Sequence, residues 1–438
     1  MTKPAVTRYG MMGGIAILMA MATTSVFAQA AAQPAKIDSG DTAWMISATG
    51  LVLMMSIPGL ALFYAGMVRK KNVLATMAQT LAAVALGSIL WVAIGYSLAF
   101  TGEGPAVGTF ERLMLNGMGM LTISPLAKTI PESVFMMYQM TFAVITVALV
   151  AGAVADRMRF SAFLWFVAGW LLLVYVPIAH WVWGGGFLAT AGVIDFAGGL
   201  VVHLNAGIAG LVACLVLGAR RGYGTDNLAP YDLSLAVIGT GLLWVGWFGF
   251  NGGSALSAGP RAGYAILATH LAACAGVLTW MVLEWWDRGR PSVLGMISGA
   301  IAGLGTITPA SGFVLPWHGI VIGIAAGAIC YWGCTKLKTK LGYDDSLDVF
   351  GVHGIGGATG TILAGVFAVA AVGETTGLLE GNSQQVLLQL YGIVATLLWS
   401  GIATFVLLKV IGFFVPLRVR DEDERAGLDV SLHGESLQ

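Results

Sequence analysis

Two histidines stand where apolar sequence ought to exclude them. His203 ends the stretch Asp195-Phe196-Ala197-Gly198-Gly199-Leu200-Val201-Val202-His203, and His353 lies in Asp348-Val349-Phe350-Gly351-Val352-His353-Gly354. Imidazole donates and accepts hydrogen bonds and titrates near neutrality, so such a pair suits a proton path or hydrogen bonding to a small polar solute. Asp195 precedes its histidine by eight residues, about 12 Å of helix. At a helix start it is either an N-cap favoured by the helix dipole or a ligand to solute. A second set of residues is aromatic. Trp183 stands beside Gly184-Gly185-Gly186, Tyr138 and Phe142 share Tyr138-Gln139-Met140-Thr141-Phe142, and Trp247 and Phe250 lead to Ser254 in Trp247-Phe248-Gly249-Phe250-Asn251-Gly252-Gly253-Ser254. Ring faces and hydroxyls with few carboxylates nearby suit a monovalent cation. Any one ring alone fits an interfacial aromatic belt equally well. His270 reads as a packing residue, and His180 and His318 fall at span ends, where water or headgroups can satisfy them.

The elements that carry these residues are membrane spans. Of 438 residues 57% are hydrophobic and 10% charged, against roughly 25% charged in soluble domains. A net charge of zero gives no sign of a nucleic-acid partner. About 20 apolar residues cross a bilayer, and the chain offers eleven such runs: 43–67, 76–100, 132–155, 160–182, 197–218, 233–256, 262–286, 291–309, 313–334, 347–372 and 386–416. Glycines at four-residue spacing, Gly295, Gly299 and Gly303, then Gly319, Gly323 and Gly327, let helix backbones approach closely. Cys214, Cys274, Cys330 and Cys334 lie in apolar runs and read as small hydrophobes; no metal or cofactor site is expected.

Fifteen basic residues fall in the odd-numbered loops and the tail, and only Lys36, Arg112, Lys128 and Arg261 on the other side of the mature chain. The positive-inside rule then puts the C-terminus in the cytoplasm and the mature N-terminus outside. Residues 1–28 have the order of a secretory signal, with Lys3 and Arg8, an apolar run, then small residues and cleavage after Ala28. Residues 29–42 form a short periplasmic lead, 43–416 the eleven-span domain, and 417–438 a cytoplasmic tail. That tail, with Asp421-Glu422-Asp423-Glu424 between arginines, reads as a docking helix or a solvated segment, too short for a signalling domain of its own. Each histidine sits in the fifth span of a five-span half, behind a leading Asp (195 or 348) and among glycines. Five is odd, so the halves are inverted: two inverted five-helix repeats plus a final helix, with a site at their interface.

These residues resemble the Amt/Mep/Rh ammonium transporters, specifically the bacterial Amt branch. The resemblance rests on Ile57-Pro58-Gly59 through Tyr64-Ala65-Gly66, Trp183-Gly184-Gly185-Gly186, Asp195-Phe196-Ala197-Gly198-Gly199, Asp348 to His353-Gly354, and Glu424-Arg425-Ala426-Gly427-Leu428-Asp429 with His433-Gly434-Glu435. It covers essentially the whole mature chain. It implies an ammonium transporter, not an enzyme, in the bacterial inner membrane. It also implies a homotrimer with one pore per subunit, no cofactor, and a tail read by a PII-type signal protein. Trp183, Ser254 and Tyr138 would form the outer ammonium site, Phe142 and Phe250 the gate beneath it, and His203, His353 and Trp247 the pore lining, with Asp195 in support. Tyr138 departs from the phenylalanine of the bacterial pattern. Alternatives are an ammonium sensor of the same fold or a b-type haem protein held by the two histidines. A water channel lacks its Asn-Pro-Ala repeat, Thr308-Pro309-Ala310 being the nearest segment.

Overall fold

The apolar runs become helices because a backbone in lipid must satisfy its own hydrogen bonds. The computed structural model describes residues 35–437; the segment read as a cleaved leader lies outside the described residues. Eleven membrane helices follow in order: α1 (Ser39–Met67), α2 (Lys70–Phe100), α3 (Glu132–Val154), α4 (Phe160–Ala191), α5 (Gly199–Leu217), α6 (Leu233–Gly253), α7 (Pro260–Arg288), α8 (Val293–Ile307), α9 (His318–Leu341), α10 (Phe350–Phe367) and α11 (Gln384–Phe414). Ten are long and apolar enough to cross a bilayer; α8, with 15 residues, is short for the task. The sequence had suggested helix from 291 to 309 and again from 313. Instead residues 308–317, which hold Pro309, Gly312 and Pro316, run as turns. The carbonyl of Pro309 accepts from the Phe196 amide (3.1 Å), so this turn braces the start of α5.

Contacts between loops fix which helix ends lie together. Arg69 pairs with Asp156 (3.0 Å) and Arg220 with Asp344 (2.7 Å), joining the first, third, fifth and ninth loops at one end, where Lys336 near the end of α9 also pairs with Asp287 near the end of α7 (2.9 Å). The fully buried Arg157 donates to Gly218 O, Ala155 O, Ser346 Oγ and Asp344 O. Burial, only partly offset by Asp344, pulls its guanidinium below the usual arginine range. At the opposite end Arg112 pairs with Glu132 (3.0 Å), Asp38 N–H meets Thr129 O (2.8 Å) and Ala258 N–H meets Asp41 (2.8 Å). An odd number of crossings follows from these two groupings.

The tail docks on the first set of loops. Beyond α11 it forms a short helix, α12 (Asp421–Ala426). Lys71 Nζ donates to the carbonyls of Glu424 and Arg425, Arg221 N–H to Glu424 Oε1, and Ala75 N–H to Asp429. Gly427, at φ +104°, packs against Lys71, where a side chain would collide. The tail thus packs against other segments of the same chain and does not stand free in solvent.

Candidate functional site

Both histidines sit on π-helical turns that open their helices, Gly199–Leu204 in α5 and Phe350–Gly354 in α10. The two helices cross at glycine. A Cβ on Gly207 would lie 2.2 Å from the Gly354 backbone, and one on Gly357 would lie 2.7 Å from Gly199 O. That approach brings His203 Nδ1 and His353 Nδ1 to 3.1 Å, with ring planes 14° apart and both rings buried. One Nδ1 must therefore donate and the other accept. Nε2 of His203 is buried without a partner. The indole of Trp247 lies almost parallel to His203 (5.6 Å, 20°) and donates to Thr308 Oγ1 (2.9 Å). Gly305 leaves the rings uncovered; a methyl there would come within 3.9 Å of both.

Asp195 is an N-cap. Its Oδ1 accepts from the amides of Gly198 and Gly199 (2.8 and 2.7 Å), and Oδ2 from Leu200 and Val201 (2.8 and 3.2 Å). With four donors already bound, the carboxylate has no part free for solute. The second half corrects the sequence reading. Asp348 does not mirror Asp195: its backbone is left-handed (φ 58°) and its side chain pairs with Lys338 at 2.7 Å. The counterpart is Asp345, eight residues before His353 as Asp195 is before His203. Its Oδ2 accepts from Phe350 N–H (2.7 Å), five residues on, as Asp195 Oδ2 does from Leu200.

The aromatic residues assemble beyond the histidines. Phe142 stacks on Phe250 (4.1 Å, 25°), with Tyr138 and Trp183 edge-on to Phe142 at 4.9 and 5.8 Å. Trp183 Nε1 donates to Asp195 O (2.8 Å), which ties this ring to the cap of α5. Tyr138 Oη lies 3.0 Å from Gly249 O, 2.8 Å from Phe250 O and 3.2 Å from Ser254 Oγ, while Ser254 donates to Phe250 O (2.9 Å). Tyr138, Trp183, Ser254 and Phe142 line one cavity of about 250 Å³, with Gln139, Phe196 and Leu256, which sequence reasoning did not single out. Phe250, Trp247, His203 and His353 line a neck of about 10 Å³, room for about one water. His353 also borders a second cavity of about 250 Å³ at the tail end, shared with Arg220, Glu284, Arg288 and Asp348.

The other histidines differ in part from expectation. His180 is wholly buried, and the carbonyls of Ala99 (2.9 Å) and Gly104 (2.6 Å), not water or headgroups, meet its two nitrogens. His270 accepts from Trp244 Nε1 (3.2 Å) on an exposed face of α7. All four cysteines are free.

Among the described residues, eleven helices around a constricted passage, with a histidine from each half at its neck, define a polytopic membrane channel or transporter. The Ammonium Transporter Family profile matches residues 43–437, and the chain belongs to that family. An ammonium transporter of Bacillus subtilis (strain 168) is 49% identical over 90% of this chain and 98% of its own length. The crystal structure of Candida albicans Mep2 superposes with a TM-score of 0.83 at 37% identity, covering 88% of each chain. A structure described as a sensor Amt protein has the same TM-score at 27% identity, over 90% of this chain and 98% of that one. Greater identity to the bacterial transporter than to the fungal protein agrees with the bacterial Amt branch.

Proposed function

We propose that this chain transports ammonium by recruiting the cation at the Trp183 cavity and passing ammonia through the histidine neck, with the proton handled separately. Energetics supports the division. A cation–π contact gives about 2 kcal/mol when desolvated, whereas stripping water from an ion costs several kcal/mol even after relaxation. The rings and Ser254 suffice to gather ammonium but not to carry the intact ion through a neck the size of one water. Ammonia is a small neutral solute and escapes most of that cost. The observation that carries this reading is the unbroken series of aromatic cavity, Phe142–Phe250 stack and His203–His353 pair.

In this reading Trp183, Tyr138 and Ser254 hold ammonium, Phe142 and Phe250 close the pore below them, and His203, His353 and Trp247 line it. Asp195 supports the Trp183 end without touching solute. The basic loops and docked tail face the cytoplasm and the Trp183 end faces outward, so transport runs into the cell across the bacterial inner membrane. The domain boundaries, cleavage after Ala28, a homotrimer with one pore per subunit, and a PII-type protein docking at the tail face belong to the same proposal. A transporter role is preferred to a sensor role because identity is 49% to the Bacillus transporter and 27% to the sensor protein.

The test is current from proteoliposomes after an ammonium or a potassium jump. Ammonium should give a current and potassium none, and His203→Ala or His353→Ala should change rate or selectivity. Equal responses to both ions would overturn the reading, and unchanged transport in both variants would remove the histidines from it.

A further inference from the structure

Asp195 and Asp345 occupy the same place in the two halves but are satisfied very differently. All four amide contacts of Asp195 are filled. Asp345 Oδ2 accepts a hydrogen bond from Phe350 N–H, the Val349 amide adds a weaker pull on the carboxylate, and Oδ1 is buried with no hydrogen-bond partner. The residue is fully buried between α9 and α10, outside both helices. Lys338 Nζ reaches past the carboxylate to the Asp345 backbone carbonyl (2.6 Å) and to Asp348 Oδ1 (2.7 Å). The groups facing Asp345 are Lys338 and Cys334 from α9, Tyr64 from α1, Cys214 from α5, Arg220 beyond it, and Tyr343 and Asp348 from its own loop. Asp344, next in the chain, is taken up by Arg220.

A carboxylate that caps a helix with one oxygen and leaves the other dry has a ready place for a proton. We infer that Asp345 is a proton-responsive positioning residue for His353. Ionised, it makes a charge-assisted cap on the Phe350 turn and fixes the imidazole at the neck. A proton taken from the cytoplasmic side onto Oδ1 cancels that charge and creates an O–H donor that needs a new acceptor, so the turn changes its contacts and the histidine its setting. Apart from the O–H bond to this proton, no covalent bond forms or breaks. The chemistry around the group agrees: burial pushes the carboxyl up to about 6, Lys338 pulls it down, and Asp348 pushes it up. Its value in the unfolded chain is about 3.9. The folded protein thus binds this proton more tightly than the unfolded chain, and acidification between about 6 and 4 stabilises the fold through this group. Acid loss of transport in that window is a change of setting, not unfolding.

The inference rests on the pore role proposed for His353. Its test is ammonium current in proteoliposomes with outside pH and ammonium fixed while tail-side pH is varied from about 5 to 8. The wild type should lose transport on the acid side, falling to about one-tenth one pH unit below the midpoint, as a single proton requires. Asp345→Asn, a neutral cap, should give a low rate that is flat across this range. Lys338→Met removes the opposing charge and should move the midpoint to higher pH. A wild-type pH profile retained by Asp345→Asn, or an unmoved midpoint in Lys338→Met, overturns the inference while leaving the ammonium reading intact. Absence of any ammonium current from the wild type overturns both.

Discussion

The two mouths of the passage have equal volume and opposite chemistry. Around the cavity at the Trp183 end there are rings, aliphatic groups, the hydroxyls of Tyr138 and Ser254, the amide of Gln139, and no charged side chain. Around the cavity at the tail end stand Arg220, Glu284, Arg288 and Asp348. Such a difference suits a solute that changes its charge on the way through. The first mouth must favour a cation already losing water, which π faces do without competing counter-ions. In the proposed route the second receives a neutral solute among charged groups. The helix caps repeat the contrast at smaller scale, with Asp195 saturated by amides beside the aromatic mouth and Asp345 left open beside the charged one.

The largest perturbation strikes the point where the halves meet. Gly207→Val would place side-chain carbon where Gly354 backbone now lies, 2.2 Å from the added Cβ. Overpacking of this kind costs about 1–3 kcal/mol or more, so we expect a lower thermal midpoint and loss of transport, measured by melting of purified protein and by uptake. A variant with normal melting and transport would mean that the crossing is not close. Trp183→Leu separates the mouths. Loss of its ring should raise the half-saturating ammonium concentration about 30-fold, equivalent to ~2 kcal/mol, with little change in rate at saturation. A collapsed maximal rate at unchanged half-saturation would place this ring at the neck instead. The smallest effect is expected from Tyr138→Phe, which keeps the ring and deletes a hydroxyl whose neighbour carbonyl, Phe250 O, still accepts from Ser254. A net hydrogen bond is worth about 1 kcal/mol, so half-saturation should move by no more than about 5-fold.

Most of this architecture was legible because lipid imposes simple rules on sequence. Apolar length gave the spans, basic loops gave the parity that the ion pairs display, and expensive intramembrane imidazoles marked the neck. Hydropathy did not reveal the break after α8, where Pro309 and Gly312 sit in an apolar stretch that a turn uses as easily as a helix. The Asp348 assignment failed for a related reason. Asp345 and Asp348 both precede His353, and only the path of the chain shows which carboxylate reaches the Phe350 amide. The ambiguity of Asp195 was resolved by counting its donors, a quantity fixed by the fold of four successive residues, 198–201. Packing of the tail on the rest of the chain depends on Lys71, Arg221 and Glu424, far apart in sequence, and the local charge pattern of 421–424 left docking and solvation equally open.

The Nδ1-to-Nδ1 bond between His203 and His353 also sets a rule for traffic. With one Nδ1 donating and the other accepting, the two outward Nε2 atoms must be unlike, one a bare lone pair and the other an N–H. A proton arriving at the bare nitrogen and leaving from the far one would reverse both tautomers and leave the entrance occupied. The wire would then be poised only for the return direction until its hydrogens were rearranged. Ammonia, which accepts at one nitrogen and donates at the other, can pass without exchanging a hydrogen and leaves the pair as it found it. On the proposed route the pair is thus a ratchet to successive protons and a reusable rail to the neutral solute.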